Sequence, residues 1–243
     1  TFEEVFKVYI PGDVIAIIDT VKIKDERVDL TVFEDKNYGN KVLAERVQII
    51  RYSCCHQNFP GRAKAYLGPM LLLSGTGYFE ADYVDFNGSS CAKVSKYISS
   101  TNKYERVMDT LFAQDPMIQV EDSAHLRLLS VNLFNNVNDG TGNLPGGAIH
   151  VGVTKEGKRP TVMLSHRTRI YNNVVLTNEV ISGGTETRAN SNFGAGIFND
   201  RSTLQLGIAE NDIITIMDNY ILKKSENYKS SLFKEIGRAS CRE

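Results

Sequence analysis

The feature that most constrains this chain is a segment that recurs after a constant offset of 47 residues, without a gap. Pro69–Gly88 (PMLLLSGTGYFEADYVDFNG) aligns with Pro116–Asn135 (PMIQVEDSAHLRLLSVNLFN). The apolar residues coincide, namely Leu71 with Ile118, Leu73 with Val120, Phe79 with Leu126, Ala81 with Leu128, Val84 with Val131 and Phe86 with Leu133. Most of them alternate with polar residues, as in half-buried strands. The chain therefore repeats a unit of three predicted strands.

Two glycine corners extend the repeat. GGAIHV (Gly146–Val151) and GAGIFN (Gly194–Asn199) place Ile149 and Ile197 where the first two units have Leu71 and Ile118. Glycine permits the tight turn that must precede each of these strands. Two rows of inward aliphatic residues are predicted, Leu71–Ile118–Ile149–Ile197 and Phe79–Leu126–Val162–Leu204.

Each unit ends in a pair of turn residues. The pairs are Asn87–Ser89, Asn135–Asn136, Asn172–Asn173 and Asn211–Asp212. Asparagine tolerates left-handed backbone and bonds its own turn, so it suits a sharp corner between strands.

These patterns predict an all-β fold, a right-handed parallel β-helix in which each unit pairs with the one before it. The strands would lie about 4.8 Å apart. We expect a single β-helix domain over residues 1–234, with a short N-terminal cap that covers the otherwise open first edge. Further strands are predicted at Val14–Ile18, Val21–Ile23, Val28–Val32 and Val47–Ile50.

Loops inserted at one corner interrupt the repeat. They span Ser90–Asp115, Val137–Pro145 and Val180–Phe193, each after the asparagine turn. Loops on a rigid scaffold often carry function, and variable decoration is the equally weighted alternative. Lys93–Phe112 is predicted to be a short solvated helix, with contact to an acidic glycan or a partner as the alternative.

Composition excludes several classes of protein. The net charge is −1, with 28 basic and 29 acidic residues, so no basic excess favours nucleic acid as a partner. No apolar run reaches the roughly 20 residues of a membrane span. Cys54, Cys55 and Cys91 do not form the even, spaced set of a disulfide framework.

The last nine residues, EIGRASCRE (Glu235–Glu243), resemble a translated sequencing adapter. We expect them, with Cys241, to be non-native read-through, and we exclude them from the argument on the fold.

The glycine corners, the asparagine turns, STLQLG at Ser202–Gly207 and PGDVI at Pro11–Ile15 resemble the right-handed parallel β-helix, or pectin-lyase-like, superfamily. More narrowly, they are similar to repeat regions of adhesin-like bacterial surface proteins. The resemblance covers about Pro11–Asn219 and implies an extracellular or cell-surface location, with a glycan or a cell-surface protein as partner. It also implies an alternative, because the superfamily includes polysaccharide lyases and glycoside hydrolases.

An enzyme of that kind needs clustered carboxylates, which in the lyases hold Ca²⁺. In the predicted stack Glu80 lies beside Arg127, Asp82 beside Leu129, and Asp85 beside Asn132. Glu80, Asp82 and Arg127 are thus the weak catalytic candidates. The simpler interpretation of Glu80 and Arg127 is a surface ion pair worth under about 1 kcal/mol.

The histidines give no stronger signal. His56 follows two cysteines without the spacing of a zinc site, and His125, His150 and His166 are predicted at the surface. The NGS triplet at Asn87–Ser89 is a possible glycosylation acceptor or simply a turn. We therefore expect no metal and no cofactor, and a non-catalytic β-helix segment that presents a loop-covered face.

Overall fold

The computed structural model describes residues 14–17, 19–31, 46–51, 68–88, 90–98, 100, 103–111, 115–138, 146–152, 157–177, 180–182, 185–187, 194–200 and 202–223. These residues form strands, turns and bends, and no helix. Several residues named above lie outside the described residues, namely Pro11–Asp13 of the PGDVI segment, Cys54, Cys55, His56 and the adapter-like tail.

The described strands run from Val14 to Lys223. The first seven are β1 (Val14–Ile17), β2 (Val21–Lys24), β3 (Arg27–Thr31), β4 (Val47–Arg51), β5 (Leu71–Ser74), β6 (Tyr78–Asp82) and β7 (Val84–Asn87). The next ten are β8 (Ser90–Ile98), β9 (Lys103–Leu111), β10 (Ile118–Val120), β11 (His125–Leu129), β12 (Asn132–Phe134), β13 (Val137–Asn138), β14 (Ile149–Val151), β15 (Thr161–Ser165), β16 (Arg169–Tyr171) and β17 (Val174–Thr177). The last six are β18 (Val180–Ser182), β19 (Thr185–Thr187), β20 (Ile197–Asn199), β21 (Thr203–Leu206), β22 (Thr215–Met217) and β23 (Tyr220–Lys223).

Parallel pairing joins these strands into three large sheets. The first sheet has the order β2-β5-β10-β14-β20, the second β3-β6-β11-β15-β21, and the third β1-β4-β7-β12-β16-β22. A smaller parallel sheet contains β13, β17 and β23. Five successive units each give one strand to each large sheet, an arrangement compatible with a β-helix or solenoid.

The predicted aliphatic rows are confirmed. Ile149 pairs with Ile118 on one side and with Ile197 on the other. In the second sheet Leu126 pairs with Phe79 and with Val162. Alternate residues of each strand point into the core, because side chains of a strand alternate between its faces. Every member of both predicted rows except Ile197 and Leu204, in the last unit, is buried.

The N-terminal strands belong to the same stack. Val21 pairs with Leu71, and Val28 pairs with Phe79, so β2, β3 and β4 form a complete first unit. The sequence predicted these strands without placing them in the repeat. Strand β1 adds one more strand to the third sheet by pairing with β4.

The glycine corner before β14 exists because the backbone passes very close to its neighbour. Gly146 has a φ of +118°, which L side chains rarely adopt. A Cβ on Gly147 would overlap the carbonyl oxygen of Ala195 in the next unit. The positive φ thus requires glycine at position 146, and the close approach of the next unit's backbone requires it at position 147.

The asparagine turns stack one above another, with Asn136 and Asn173 buried, and one predicted turn is wrong. Asn135 and Asn172 have φ values of 60° and 54°, as the predicted turns require. In the last unit the equivalent pair is Asp218–Asn219, with a φ of 51° at Asp218, and not Asn211–Asp212. Asp212 lies instead in the connection between β21 and β22, where its carboxylate bonds the local backbone.

We call Asn136, Asn173 and Asn219 the asparagine column. The backbone N–H of Asn136 donates to Oδ1 of Asn173 at 3.1 Å, and that of Asn173 donates to Oδ1 of Asn219 at 3.2 Å. The side-chain oxygens of Asn173 and Asn219 thus each accept from a backbone donor of the preceding unit. Buried amides need such partners, so the column fixes the corner where the third sheet ends.

Arg51, the last residue of β4 in the first unit, binds Asn136 at one end of this column. Its buried guanidinium donates through Nη1 to Oδ1 of Asn136 at 2.7 Å and to the carbonyl of Gly88 at 2.9 Å. Nη2 donates to the carbonyl of Gly68 at 3.0 Å. A Cβ on Gly88 would lie 2.7 Å from Cβ of Asn136, so glycine keeps the approach open.

Two of the predicted insertions are hairpins. Strands β8 and β9 pair antiparallel over nine residues each, which corrects the predicted helix at Lys93–Phe112. The helix was inferred from local polarity, whereas the hairpin depends on pairing between two segments of the chain. Strands β18 and β19 form a second antiparallel hairpin. Val137 and Asn138, expected to begin a loop, pair with β17 in the stack.

We expect Ile149→Ala to lower the free energy of unfolding by about 2–5 kcal/mol, because it leaves a cavity between two aliphatic neighbours. Urea unfolding followed by circular dichroism measures the change. Gln205→Ala, at an exposed outward position of β21, is the control and should stay within about 0.5 kcal/mol. Equal losses in both variants would contradict the core position of Ile149.

Arg51→Leu should cost more than about 2 kcal/mol, since several buried oxygen acceptors lose their donor at once. Arg169→Leu removes an exposed arginine from the same sheet and serves as the matched control. Unchanged stability of Arg51→Leu in urea would show that the guanidinium does not hold the corner.

Candidate functional site

The outward face of the second sheet contains the predicted acid–base pair. The register places Glu80 beside Arg127, as expected, followed by Met163 and Gln205. Nη1 of Arg127 lies 3.2 Å from each carboxylate oxygen of Glu80. Side-chain exposures of 36% and 19% leave the pair partly solvated. Such a pair contributes at most about 1 kcal/mol.

Two further residues engage Glu80. The hydroxyl of Tyr78 donates to Oε2 of Glu80 at 2.5 Å, and Nη2 of Arg27 lies 3.8 Å from the same oxygen. The guanidinium of Arg27 also lies over the ring of Tyr78, at 4.0 Å from its centroid. Burial, and then the bond to Glu80, raises the pKa of the Tyr78 phenol. Glu80 is therefore held in a compensated polar cluster.

Asp82, the third weak catalytic candidate, is placed differently. It lies two residues along β6 from Glu80 and pairs in register with Leu129, as predicted. Burial raises the pKa of its carboxyl group, against the opposing influence of His166. Among the described ion pairs and hydrogen bonds, none joins Asp82 to Glu80 or Arg127. The structure thus brings together two of the three candidates.

A second polar cluster lies on the third sheet. Oδ1 of Asp85 accepts from Nδ2 of Asn132 at 2.7 Å, which confirms the predicted neighbours, and Nη1 of Arg46 lies 3.3 Å away. The same Arg46 atom donates to the carbonyl of Ser130, and the guanidinium covers the ring of Tyr83 at 4.3 Å. Burial raises the pKa of Asp85, because desolvation outweighs the bond from Asn132 and the charge of Arg46.

An aromatic pair borders this second cluster. Phe134 and Tyr171 stack with their ring centroids 5.2 Å apart and their planes at 2°. They occupy the row just beyond Asn132 and Arg169 on the same outward face. Burial raises the pKa of Tyr171, and the nearby charge of Asp85 acts in the same direction. The third sheet thus combines half-buried rings with hydrogen-bonding groups.

Ser165, His166 and Asp212 have the composition of a catalytic triad but a different geometry. The hydroxyl of Ser165 is buried and donates to Oδ2 of Asp212 at 2.6 Å. Nδ1 of His166 lies 3.1 Å from the same hydroxyl. In a hydrolytic triad the acid orients the histidine and the serine oxygen is open to substrate. Here the carboxylate binds the serine, so the three residues link the end of β15 to the connection between β21 and β22.

Asp212 is the central acceptor of this link. Its Oδ2 also accepts from the backbone N–H groups of Ile208 at 2.6 Å and Ala209 at 3.1 Å. These bonds, led by that from Ile208, hold the pKa of Asp212 far below its ordinary value. The carboxylate therefore stays ionised throughout the neutral range.

The other histidines behave as predicted in part. His125 and His166 are exposed, as expected. The prediction for His150 is wrong, because it lies on the outward face yet is buried, with its ring stacked on Phe198 at 5.2 Å. Among the described residues, no group of three or more His, Cys, Asp or Glu residues is arranged to hold a metal ion.

The sequence did not identify Arg27, Arg46 or Arg51 as partners of these clusters. Arg27 is detectable once β3 is placed in register with β6, because its neighbour Asp29 then adjoins Glu80. Arg46 precedes β4 and contacts residues from two later units. No repeated sequence pattern predicts that placement.

Within the described part of the chain, no helix is long and apolar enough to span a membrane. No protein-family model, curated protein or solved structure matches the chain.

We expect Asp212→Asn to lower the thermal midpoint at pH 6, and the difference from the original protein to shrink as the pH falls below about 4. A carboxyl group whose folded pKa is depressed stabilises the fold above its unfolded pKa, near 3.8, and loses this effect as the pH falls. Melting curves from pH 6 to pH 2 measure it. Glu210→Gln, an exposed change of equal charge nearby, is the control. A difference that does not depend on pH would contradict the role of the ionised carboxylate.

Proposed function

We propose that this chain is a right-handed parallel β-helix segment that acts as a non-catalytic binding scaffold outside the cell or at its surface. Right-handed crossover is the rule for parallel strands joined within one sheet, which supports the handedness. The repeated parallel stack in the described residues supports the solenoid. The extracellular, adhesin-like assignment is supported by the resemblance of the glycine corners and asparagine turns.

The observation that carries the proposal is the state of the outward carboxylates. Glu80 is bound by Arg127 and Tyr78, and Asp85 by Arg46 and Asn132. A glycosidase or lyase needs carboxylates that converge on the substrate or on a cation. Groups that are already paired along the strands do not converge in this way, which supports a non-catalytic role.

The position of the insertions supports a binding role as well. Hairpin β8–β9 follows β7, and hairpin β18–β19 follows β17. Both therefore leave the stack after the third sheet and before the next strand of the first sheet. Segments gathered at one corner of a rigid scaffold form a continuous face for a glycan or protein.

A carbohydrate-active enzyme of the same fold is the second candidate. Burial raises the pKa of Asp82 and of Asp85, and a general acid requires a raised pKa. It ranks below the scaffold because Asp85 is already bonded to Arg46 and Asn132.

We expect the purified chain to be retained by at least one polysaccharide in a panel of polygalacturonate, alginate, chondroitin sulfate and dextran, and to release no product. Affinity electrophoresis measures retention, and assays for reducing ends and unsaturated uronates measure turnover, each with and without Ca²⁺. Product release that disappears in Asp85→Asn would overturn the non-catalytic assignment in favour of the enzyme. Failure of retention by every polysaccharide would overturn glycan contact.

A further inference from the structure

Strand β16 and the turn before it carry two exposed arginines. Arg167 lies in the turn between β15 and β16, and Arg169 begins β16. Tyr171 follows two residues later on the same outward face, because side chains of a strand alternate between its faces. Burial raises the pKa of the Tyr171 phenol and the charge of Arg169 opposes this rise, so the guanidinium lies near the phenol. We call Arg167, Arg169 and Tyr171 the arginine stripe.

The described strands on either side of the stripe are uncharged. Strand β12 places Asn132 beside Arg169, and β22 places Thr215 on the other side. The sequences of these two strands, NLF and TIM, contain no acidic residue. Among the ion pairs of the described residues, none includes Arg167 or Arg169.

Three acidic residues of the surrounding elements have other partners. Asp85 lies two strands away and is paired with Arg46. Asp212, in the connection before β22, accepts from the hydroxyl of Ser165 at 2.6 Å. Asp218, after β22, accepts from a tyrosine hydroxyl of β23 at 3.3 Å. The arginine stripe therefore keeps a positive charge with which these carboxylates do not pair.

The neighbours of the two arginines offer both polar and apolar contacts. Asn132 is held by its bond to Asp85 at 2.7 Å. Tyr171 is stacked against Phe134, so its ring is fixed between strands while it retains a hydroxyl. A sugar presents apolar C–H groups as well as hydroxyls, and tyrosine combines an apolar body with a polar end. The surroundings of the stripe therefore suit a sugar.

We propose that the arginine stripe binds a uronate-containing polysaccharide, with the guanidinium groups on its carboxylates and with Tyr171 and Asn132 on its hydroxyls. The planar fork of arginine matches a carboxylate through two parallel hydrogen bonds. Two cations among neutral polar groups match a chain with one charge on each sugar better than a densely sulfated chain. This inference rests on the proposed function, because it names a ligand class and a site on the same scaffold.

The outward face of the third sheet is too narrow for a typical protein interface. Strands β12, β16 and β22 have three residues each, or about 10 Å, and six strands about 4.8 Å apart span about 24 Å. The face thus has an area of about 240 Å², whereas a stable protein interface buries roughly 800 Å² on each partner. A linear polysaccharide needs only such a strip.

The test compares two double variants that remove the same charge at the same spacing. Arg167→Gln with Arg169→Gln should weaken binding to polygalacturonate by at least about tenfold, because two charge-assisted contacts are lost. Lys22→Gln with Lys24→Gln, at two exposed positions of β2 in the first sheet, is the control and should weaken binding by less than about threefold. Fluorescence anisotropy measures both affinities, and circular dichroism with a melting curve verifies that each variant is folded.

A further variant tests the tyrosine at constant charge. Tyr171→Phe removes the hydroxyl and keeps the ring that stacks on Phe134. It should lower the affinity for polygalacturonate about threefold and leave the dependence on salt concentration unchanged, because no charge is removed. Tyr220→Phe, at an exposed tyrosine of β23, is the control and should leave the affinity unchanged.

The ligand class is tested on the unmodified chain. Methyl esterification of polygalacturonate removes the charge of its carboxylates and should weaken binding by at least about tenfold. Dextran sulfate and polyglutamate represent a sulfated polysaccharide and an acidic protein, and both should bind more weakly than polygalacturonate.

Equal losses in the arginine and lysine variants, or a loss in neither, would overturn the arginine stripe as the site. In both cases the scaffold still binds a glycan and the proposed function stands. Equal binding to the methyl ester, or tighter binding to dextran sulfate or polyglutamate, would overturn the uronate as the ligand. Failure of the unmodified chain to bind any polysaccharide would overturn this inference and glycan contact together.

Discussion

The structure depends on units pairing in register, so that each inward aliphatic residue lies directly on its counterpart. Ile149, between Ile118 and Ile197, shows the constraint most plainly. A slip of one residue would turn every inward side chain of a strand outward, because the side-chain period is two. Register must therefore be fixed at the corners as well as along the strands. The asparagine column does this with amides that bond the neighbouring unit's backbone, and Arg51 completes it where Gly88 leaves space for the approach.

Much of the stack could be predicted from sequence because its evidence is local and repeated. The gap-free alignment of two units gave the pairing of Phe79 with Leu126 before any coordinates. The corner of the last unit could not be predicted in the same way, because two Asn/Asp pairs compete there, at 211–212 and 218–219. Only the tertiary bond from Asn173 to Asn219 distinguishes them. The hairpin β8–β9 could not be predicted from local polarity, because it depends on pairing between two segments of the chain.

The sequence predicts which strand residues of the candidate site are neighbours, but it does not predict the further residues that contact them. Register alone placed Glu80 beside Arg127 and Asp85 beside Asn132. The contributions of Arg46 and Tyr83 depend on connections with no repeat to follow. These additional partners change the chemistry of the face. A carboxylate that is paired with an arginine and accepts a hydrogen bond from an amide has its acceptor oxygens satisfied and is less reactive. The carboxylates of Glu80 and Asp85 in the large sheets are thus compensated by neighbouring cations and hydrogen-bond donors.

Stability along the stack is uneven, and the reason is the same stacking that defines the fold. In the first unit Ile23 and Val28 are buried, whereas in the last unit Leu206 is 52% exposed and Ile216 is 46% exposed. Their counterparts one unit earlier, Leu164 and Ile170, are fully buried. In a repeat fold the stability is close to a sum of units and of the contacts between neighbours, so the described unit with the fewest buried aliphatic side chains gains least. We therefore expect local opening of the described strands to begin at β20 to β22 and to cost least there, before the rows through β10 to β16 open.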